Sequence, residues 1–239
     1  MSPPLLLLAA VIEVVGAIVQ GSLGFGLNIV AGPLLVLVDP QFAPAPILLA
    51  ASFGAALVSL HERGTVHWPA VWSGISGQIP GALVGLLVAT TFPSRTLQAV
   101  LGAIVLSSVG LSLVHHRIAA RWYLWVPAGA MSGLYGTVAG VGGAPFGLAC
   151  QQLPGAVLRP TVSMFSFLSA VFSFAVLAVG GTVHERQLLL AGVLAPSVIT
   201  GFLVSRLLIR HMRAQWIRYC VVALVASSAT AVIVQAFVH

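Results

Sequence analysis

Eight long apolar runs separated by short polar connectors make up almost the whole chain, at roughly residues 4–38, 44–60, 69–91, 96–114, 122–150, 160–180, 188–208 and 214–238. A helix needs about 20 residues to cross a bilayer, and apolar runs of about 18 or more read as spans. The connectors 61-HERGTVHW-68, 92-FPSR-95, 115-HHRIAAR-121, 181-GTVHER-186 and 209-IRHMR-213 leave no room for a soluble domain. The pattern predicts an all-α polytopic membrane protein forming one membrane domain.

Two of the runs, 4–38 and 122–150, are longer than one crossing needs. Each contains residues that oppose a helix: 21-GSLGFGLNIVAGPL-34 in the first and 133-GLYGTVAGVGGAPF-146 in the second. An offset of 112 superposes Gly21 on Gly133, Gly24 on Gly136 and Pro33 on Pro145. Further along, 64-GTVH-67 recurs as 181-GTVH-184, and Pro80 and Gly85 recur as Pro196 and Gly201. The chain therefore reads as two homologous halves, 1–118 and 119–239, each a Gly-rich broken or re-entrant helix followed by three spanning helices. Paired repeats are a common transporter architecture.

The arginines bear on how the halves are related. If each broken run returns to its starting side, Arg63, Arg117, Arg121, Arg159, Arg206, Arg210, Arg213 and Arg218 share one face and Arg95 and Arg186 the other. A single crossing by each broken run divides them six to four. The first pattern fits the positive-inside rule better, and an odd number of crossings per half makes the repeats inverted.

Composition supports the membrane assignment. Hydrophobic residues are 59% of the 239 and charged residues 6%, against about a quarter charged in soluble domains, and mean hydropathy is +1.09. The net charge of +6 comes from arginines scattered singly among loops, which reads as topology control and headgroup contact rather than nucleic-acid binding. The start, Met1-Ser-Pro-Pro-Leu, lacks a basic leader, so the first span is expected to serve for insertion. Cys150 and Cys220 read as packed thiols, because no ligand cluster accompanies them. Trp68, Trp72, Trp122 and Trp125 stand near run ends, as interfacial anchors do.

The glycines invite two readings. Small residues let membrane helices pack closely, which suits Gly81, Gly85, Gly129 and Gly133. The run 140-GVGGAP-145 is too dense for that alone, since each glycine costs a helix about 1 kcal/mol and an interior proline about 3. Irregular backbone inside a bilayer survives only when buried in protein or lining a cavity, and its free N–H groups make an anion site. The candidate binding residues are thus Gln20, Gly21, Ser22, Gly24, Phe25, Gly26, Asn28 and Pro33 in the first copy. In the second copy they are Ser132, Gly133, Tyr135, Gly136, Thr137, Gly140, Gly142, Gly143 and Pro145. All are neutral, so dipoles and amides rather than salt bridges would hold the anion.

Glu13 is the one acid well inside an apolar run. A buried carboxylate is costly and suits proton coupling; the plainer reading puts it near an interface or against an arginine. The tripeptides His61-Glu62-Arg63 and His184-Glu185-Arg186 lack metal-site spacing and read as solvated loops with local ion pairing.

The paired stretches 20-QGSLGFGLNIVAGPLL-35 and 132-SGLYGTVAGVGGAPFGL-148, in the same place in two halves, resemble the sulfite exporter TauE/SafE family. The resemblance extends over essentially the whole chain. It implies a multi-pass inner-membrane permease for small sulfur-containing anions such as sulfite or organosulfonates. Asn28 stands where the second copy has Gly140, so the half-sites differ chemically.

The expected function is secondary transport of a small anion bound between the two breaks; an anion channel or uniporter for oxyanions or carboxylates is the alternative. An intramembrane enzyme would need a catalytic pair within the bilayer, but the single Asp39 ends a run and the histidines lie mainly in loops. No nucleotide-binding motif or cofactor site is evident. The expected partners are the anion, the lipid bilayer and, in an assembly, further copies of the chain.

Overall fold

A computed structural model describes residues 3–23, 27–61, 65–113 and 122–208. Among them the chain forms nine α-helices and no strand: α1 (Pro3–Leu23), α2 (Leu27–Val38), α3 (Ala45–His61), α4 (Trp68–Thr91), α5 (Ser94–Leu113), α6 (Trp122–Ala139), α7 (Gly143–Ala149), α8 (Gly155–Val179) and α9 (Glu185–Leu208). A 3-10 turn at Pro40–Phe42 joins α2 to α3. Four stretches, Pro3–Gly21, Trp68–Thr91, Gly155–Val179 and Glu185–Ser205, are long and apolar enough to cross a membrane. The run at 214–238 lies outside the described residues.

Helices α8 and α9 begin three or more residues before their apolar runs. Helix α8 starts at Gly155 rather than near 160 and passes through Pro160. A proline inside a helix leaves the carbonyl four residues earlier without its usual donor. Here that carbonyl, on Ala156, accepts from Thr65 Oγ1 at 2.8 Å. Helix α9 starts at Glu185 rather than 188. Gln187 Oε1 accepts the His184 N–H at 3.1 Å, closing the helix start as a capping box does. His184-Glu185-Arg186 is therefore a helix start, and its ion pairing is long-range: Arg186 Nη2 stands 3.4 Å from Asp39 Oδ2, at the end of α2.

Both long runs fold back on themselves. A Cβ added at Gly16 of α1 would stand 3.0 Å from the Leu27 carbonyl and 3.1 Å from the Ala31 Cβ. Leu27 and Ala31 are therefore beside α1, not beyond its end. In the second run, α6 ends at Ala139 and the next three residues are not helical. Gly140 N donates to Gly136 O at 2.8 Å and Val141 N to Tyr135 O at 3.3 Å, and Gly142 returns beside the Ser132 carbonyl. The reversal depends on Gly140, whose φ of +75° favours glycine.

Glycine contacts give the helix directions. On α4 and α6, Gly74 faces Gly129, Gly81 faces Ala130 and Gly85 faces Thr137, so residue numbers rise together and the helices run parallel. Gly81, Gly85, Gly129 and Gly133 thus serve the close packing that small residues permit. Helices α1 and α9 are parallel too, with Gly201 against Val14 and Ala17, and Gly21 against Ser205. Helix α3 runs against α2, since Gly32 meets Ile47 while Gly54 meets Leu27. It also runs against α8: Leu48 shares a core with Ala170 and Leu177, whereas Thr65, beyond its end, reaches Ala156. Helices α4 and α8 are parallel, with Gly74 at Phe165 and Gln78 at Ser169 and Ser173.

The aromatic residues divide. Trp68, Trp72 and Trp122 are exposed, as membrane-interface anchors are. Trp125 is buried, with its ring edge-on to His67 at 5.4 Å, so it belongs to the interior instead. Cys150 is a free, buried thiol.

Candidate functional site

Where the two reversals meet, Asn28 at the start of α2 donates from Nδ2 to the Gly140 carbonyl in the second break. Beside this contact lies a small, partly open cavity. Its polar walls are Gln20 and Asn28 from the first hairpin, Gly140, Gly142 and Gly143 from the second, and Ser166 and Ser169 from α8. Ile29, Leu48, Ala51, Val141 and Ala170 complete it. None of these lining residues carries a charge. The first N–H groups of a helix have no acceptor within it, and α7 begins in this wall at Gly143.

Five of the seventeen residues expected at the site line the cavity, namely Gln20, Asn28, Gly140, Gly142 and Gly143; Gly136 lies behind Gly142, whose added Cβ would stand 3.4 Å from the Gly136 Cα. Several of the others pack in the surrounding framework. Gly21 packs on Ser205, and Gly133 packs on the α4 backbone at Gln78 and Ala82. Tyr135 shares a hydrogen bond with Ser107 at 3.0 Å, and Thr137 Oγ1 donates to Ser173 Oγ at 3.2 Å. Ser132 is buried, and its hydroxyl has no hydrogen-bond partner among the described residues. Pro33 and Pro145 are buried inside α2 and α7. Gly24, Phe25, Gly26 and the Ser22 side chain lie outside the described residues.

Glu13 is completely buried, and neither carboxylate oxygen has a hydrogen-bond partner among the described residues. It is not at an exposed interface and does not line the cavity. Gln20 lies two helical turns away on the same face of α1, about 10 Å along the axis.

Sequence reasoning missed Gln78, Ser166, Ser169 and Ser173. Ser166 and Ser169 line the cavity; Gln78, completely buried, bonds to α8 beside it. One signal was present, serines every three or four residues along one face of α8, at 163, 166, 169 and 173. A polar stripe in an apolar helix points inward, because lipid cannot satisfy it.

No curated protein and no solved structure matches the chain. The family model described as sulfite exporter TauE/SafE matches residues 7–232. With its apolar helices and a match over nearly the whole length, this multi-pass membrane protein belongs to the sulfite exporter TauE/SafE family of transporters.

Proposed function

We propose that the chain is a secondary carrier for a small anion, sulfite or an organosulfonate, bound near mid-membrane between two re-entrant hairpins. The observation that carries this reading is the uncharged cavity walled by the break at Gly140–Gly143 and by Asn28. Backbone N–H groups freed by the break attract an anion. Neutral hydrogen-bonding side chains orient its oxygens without the deep trap that an arginine would set. Weak, neutral coordination lets a carried ion leave.

On this reading residues 1–118 and 119–239 are inverted repeats about a two-fold axis in the membrane plane. Support comes from the helix directions. Let α1 run upward; then α2 runs down, α3 up, α8 and α4 down, and α6 down with α4. The first helices of the two halves thus point in opposite directions. Pairing is also preserved when the halves are exchanged: α1 on α9 corresponds to α6 on α4, and α3 on α9 to α8 on α4. The carrier would sit in the cell inner membrane, and its anion would cross as the halves rock about the fixed site.

A thermal-shift screen of purified protein against sulfite, sulfate, thiosulfate, sulfonates and small carboxylates tests the binding. A ligand at 100 times its Kd stabilises by about 2.7 kcal/mol. Stabilisation by sulfite or a sulfonate is expected; a response to none of the anions would contradict the reading.

A further inference from the structure

The polar wall of the cavity is anchored from outside by a residue in another helix. Gln78 of α4 is completely buried, and its Nε2 donates to the Ser169 carbonyl at 3.3 Å and to Ser173 Oγ at 3.0 Å. Ser173 Oγ also accepts from Thr137 Oγ1 at 3.2 Å. Helices α4, α6 and α8 are thereby tied at one level. Ser169 faces the break: a Cβ added at Gly142 would stand 3.3 Å from its Oγ. On the opposite side, Gln78 Oε1 is buried without a partner among the described residues. A half-satisfied amide in a lipid-embedded bundle is costly. Packing does not demand it, because the counterpart position in the other half, at the offset relating Pro80 to Pro196, is Leu194, itself completely buried.

We propose that Gln78 is a positioning residue for anion binding: it fixes Ser169 against the second break and so holds the ligand toward the C-terminal half of the cavity. At the corresponding position of α9 stands Leu194, which cannot make such a tie; α3 is held instead by Gln20 of α1, whose Nε2 donates to the Ala51 carbonyl at a longer 3.5 Å. The two half-sites are then unequal in strength as well as in composition. This inference rests on the anion-cavity reading above.

Sulfite titration calorimetry on wild type, Gln78→Leu, Ser169→Ala and the double variant tests it. Gln78→Leu installs the residue that the other half already carries. It should weaken sulfite binding at least about tenfold, as loss of a hydrogen bond to a charged group does, while the ligand-free thermal midpoint stays unchanged. Because Gln78 acts through Ser169, the double variant should bind no more weakly than Ser169→Ala alone. Should Gln78→Leu fail to fold, Ser173→Ala removes one of the two acceptors and should show the same non-additivity with Ser169→Ala. Unchanged affinity in Gln78→Leu, or fully additive losses, would overturn the positioning role. Wild-type protein that binds no sulfite, sulfate or sulfonate would overturn the anion-cavity reading itself, and this role with it.

Discussion

The side-chain amide of Asn28 donates to the carbonyl of Gly140, a residue 112 positions further along the chain. The same offset superposes Gly21 on Gly133 and Pro33 on Pro145. Positions made equivalent by an internal repeat touch each other only close to the axis that relates the copies. The contact joins the two hairpins beside the cavity. Asn28→Ala should leave the Gly140 carbonyl unpaired at a cost of about 1–3 kcal/mol. A lower thermal midpoint together with weaker sulfite binding is the expected outcome; a change in neither would mean that the hairpins do not depend on this bond.

Gly140 is sensitive for a second reason. Its φ is +75°, and an added Cβ would stand 2.9 Å from Ile47 Cγ2. Left-handed backbone costs other residues about 1–2 kcal/mol before any clash. Gly140→Ala should therefore destabilise by more than that and reduce anion affinity, read by thermal melts and titration.

Glycines outside the breaks should divide by what surrounds them. An added Cβ at Gly81 would collide with the Ala130 carbonyl of α6, whereas Gly192 has nothing within 4 Å. Gly81→Ala should cost about 1–3 kcal/mol by forcing the helices apart. Gly192→Ala should be neutral, or stabilise by up to about 1 kcal/mol through helix propensity. Equal effects at the two sites, in melts of purified protein, would count against the α4–α6 packing.

The all-helical apolar character of the chain and the places where its two long runs fold back were legible in sequence because each is a local signal, carried by hydropathy and glycine density. The role of Gln78 was not, since a lone glutamine in an apolar run gains meaning only from the α8 serines that fold against it. The Arg186–Asp39 pair was hidden for the same reason, its partners lying 147 residues apart. Trp125 was misread as an interface anchor because position near a run's end does not reveal which way a helix face turns. Gly133 packs on α4, the close-packing reading that its sequence also offered, and Gly21 packs on Ser205 of α9, a contact that the motif did not foretell.

Glu13 offers a test of coupling. It is buried with both oxygens unpartnered among the described residues, and a lone carboxylate in a membrane bundle is a functional candidate by default. Glu13→Gln keeps the shape and cannot exchange a proton. If Glu13 couples protons to the anion, the variant should retain sulfite binding and exchange yet lose accumulation driven by a pH gradient. Unchanged pH-driven accumulation would make Glu13 structural.

Inverted halves place equivalent loops on opposite faces of the membrane. Pro93→Cys in the connector between α4 and α5 and His211→Cys in the connector expected from sequence at 209–213, on a background without Cys150 and Cys220, should label from opposite sides. Labelling of both from one side would indicate parallel repeats.

Gly143 lines the cavity, and on the carrier reading it therefore lines the path of the anion. Sulfite counterflow into proteoliposomes tests it most directly, comparing wild type with Gly143→Val. A β-branched side chain there would stiffen the backbone and occupy the cavity. Wild type should take up labelled sulfite faster when unlabelled sulfite is inside, and Gly143→Val, inserted at the same level, should show no uptake above empty vesicles. Wild-type uptake without stimulation from the far side, or normal uptake by Gly143→Val, would contradict the account.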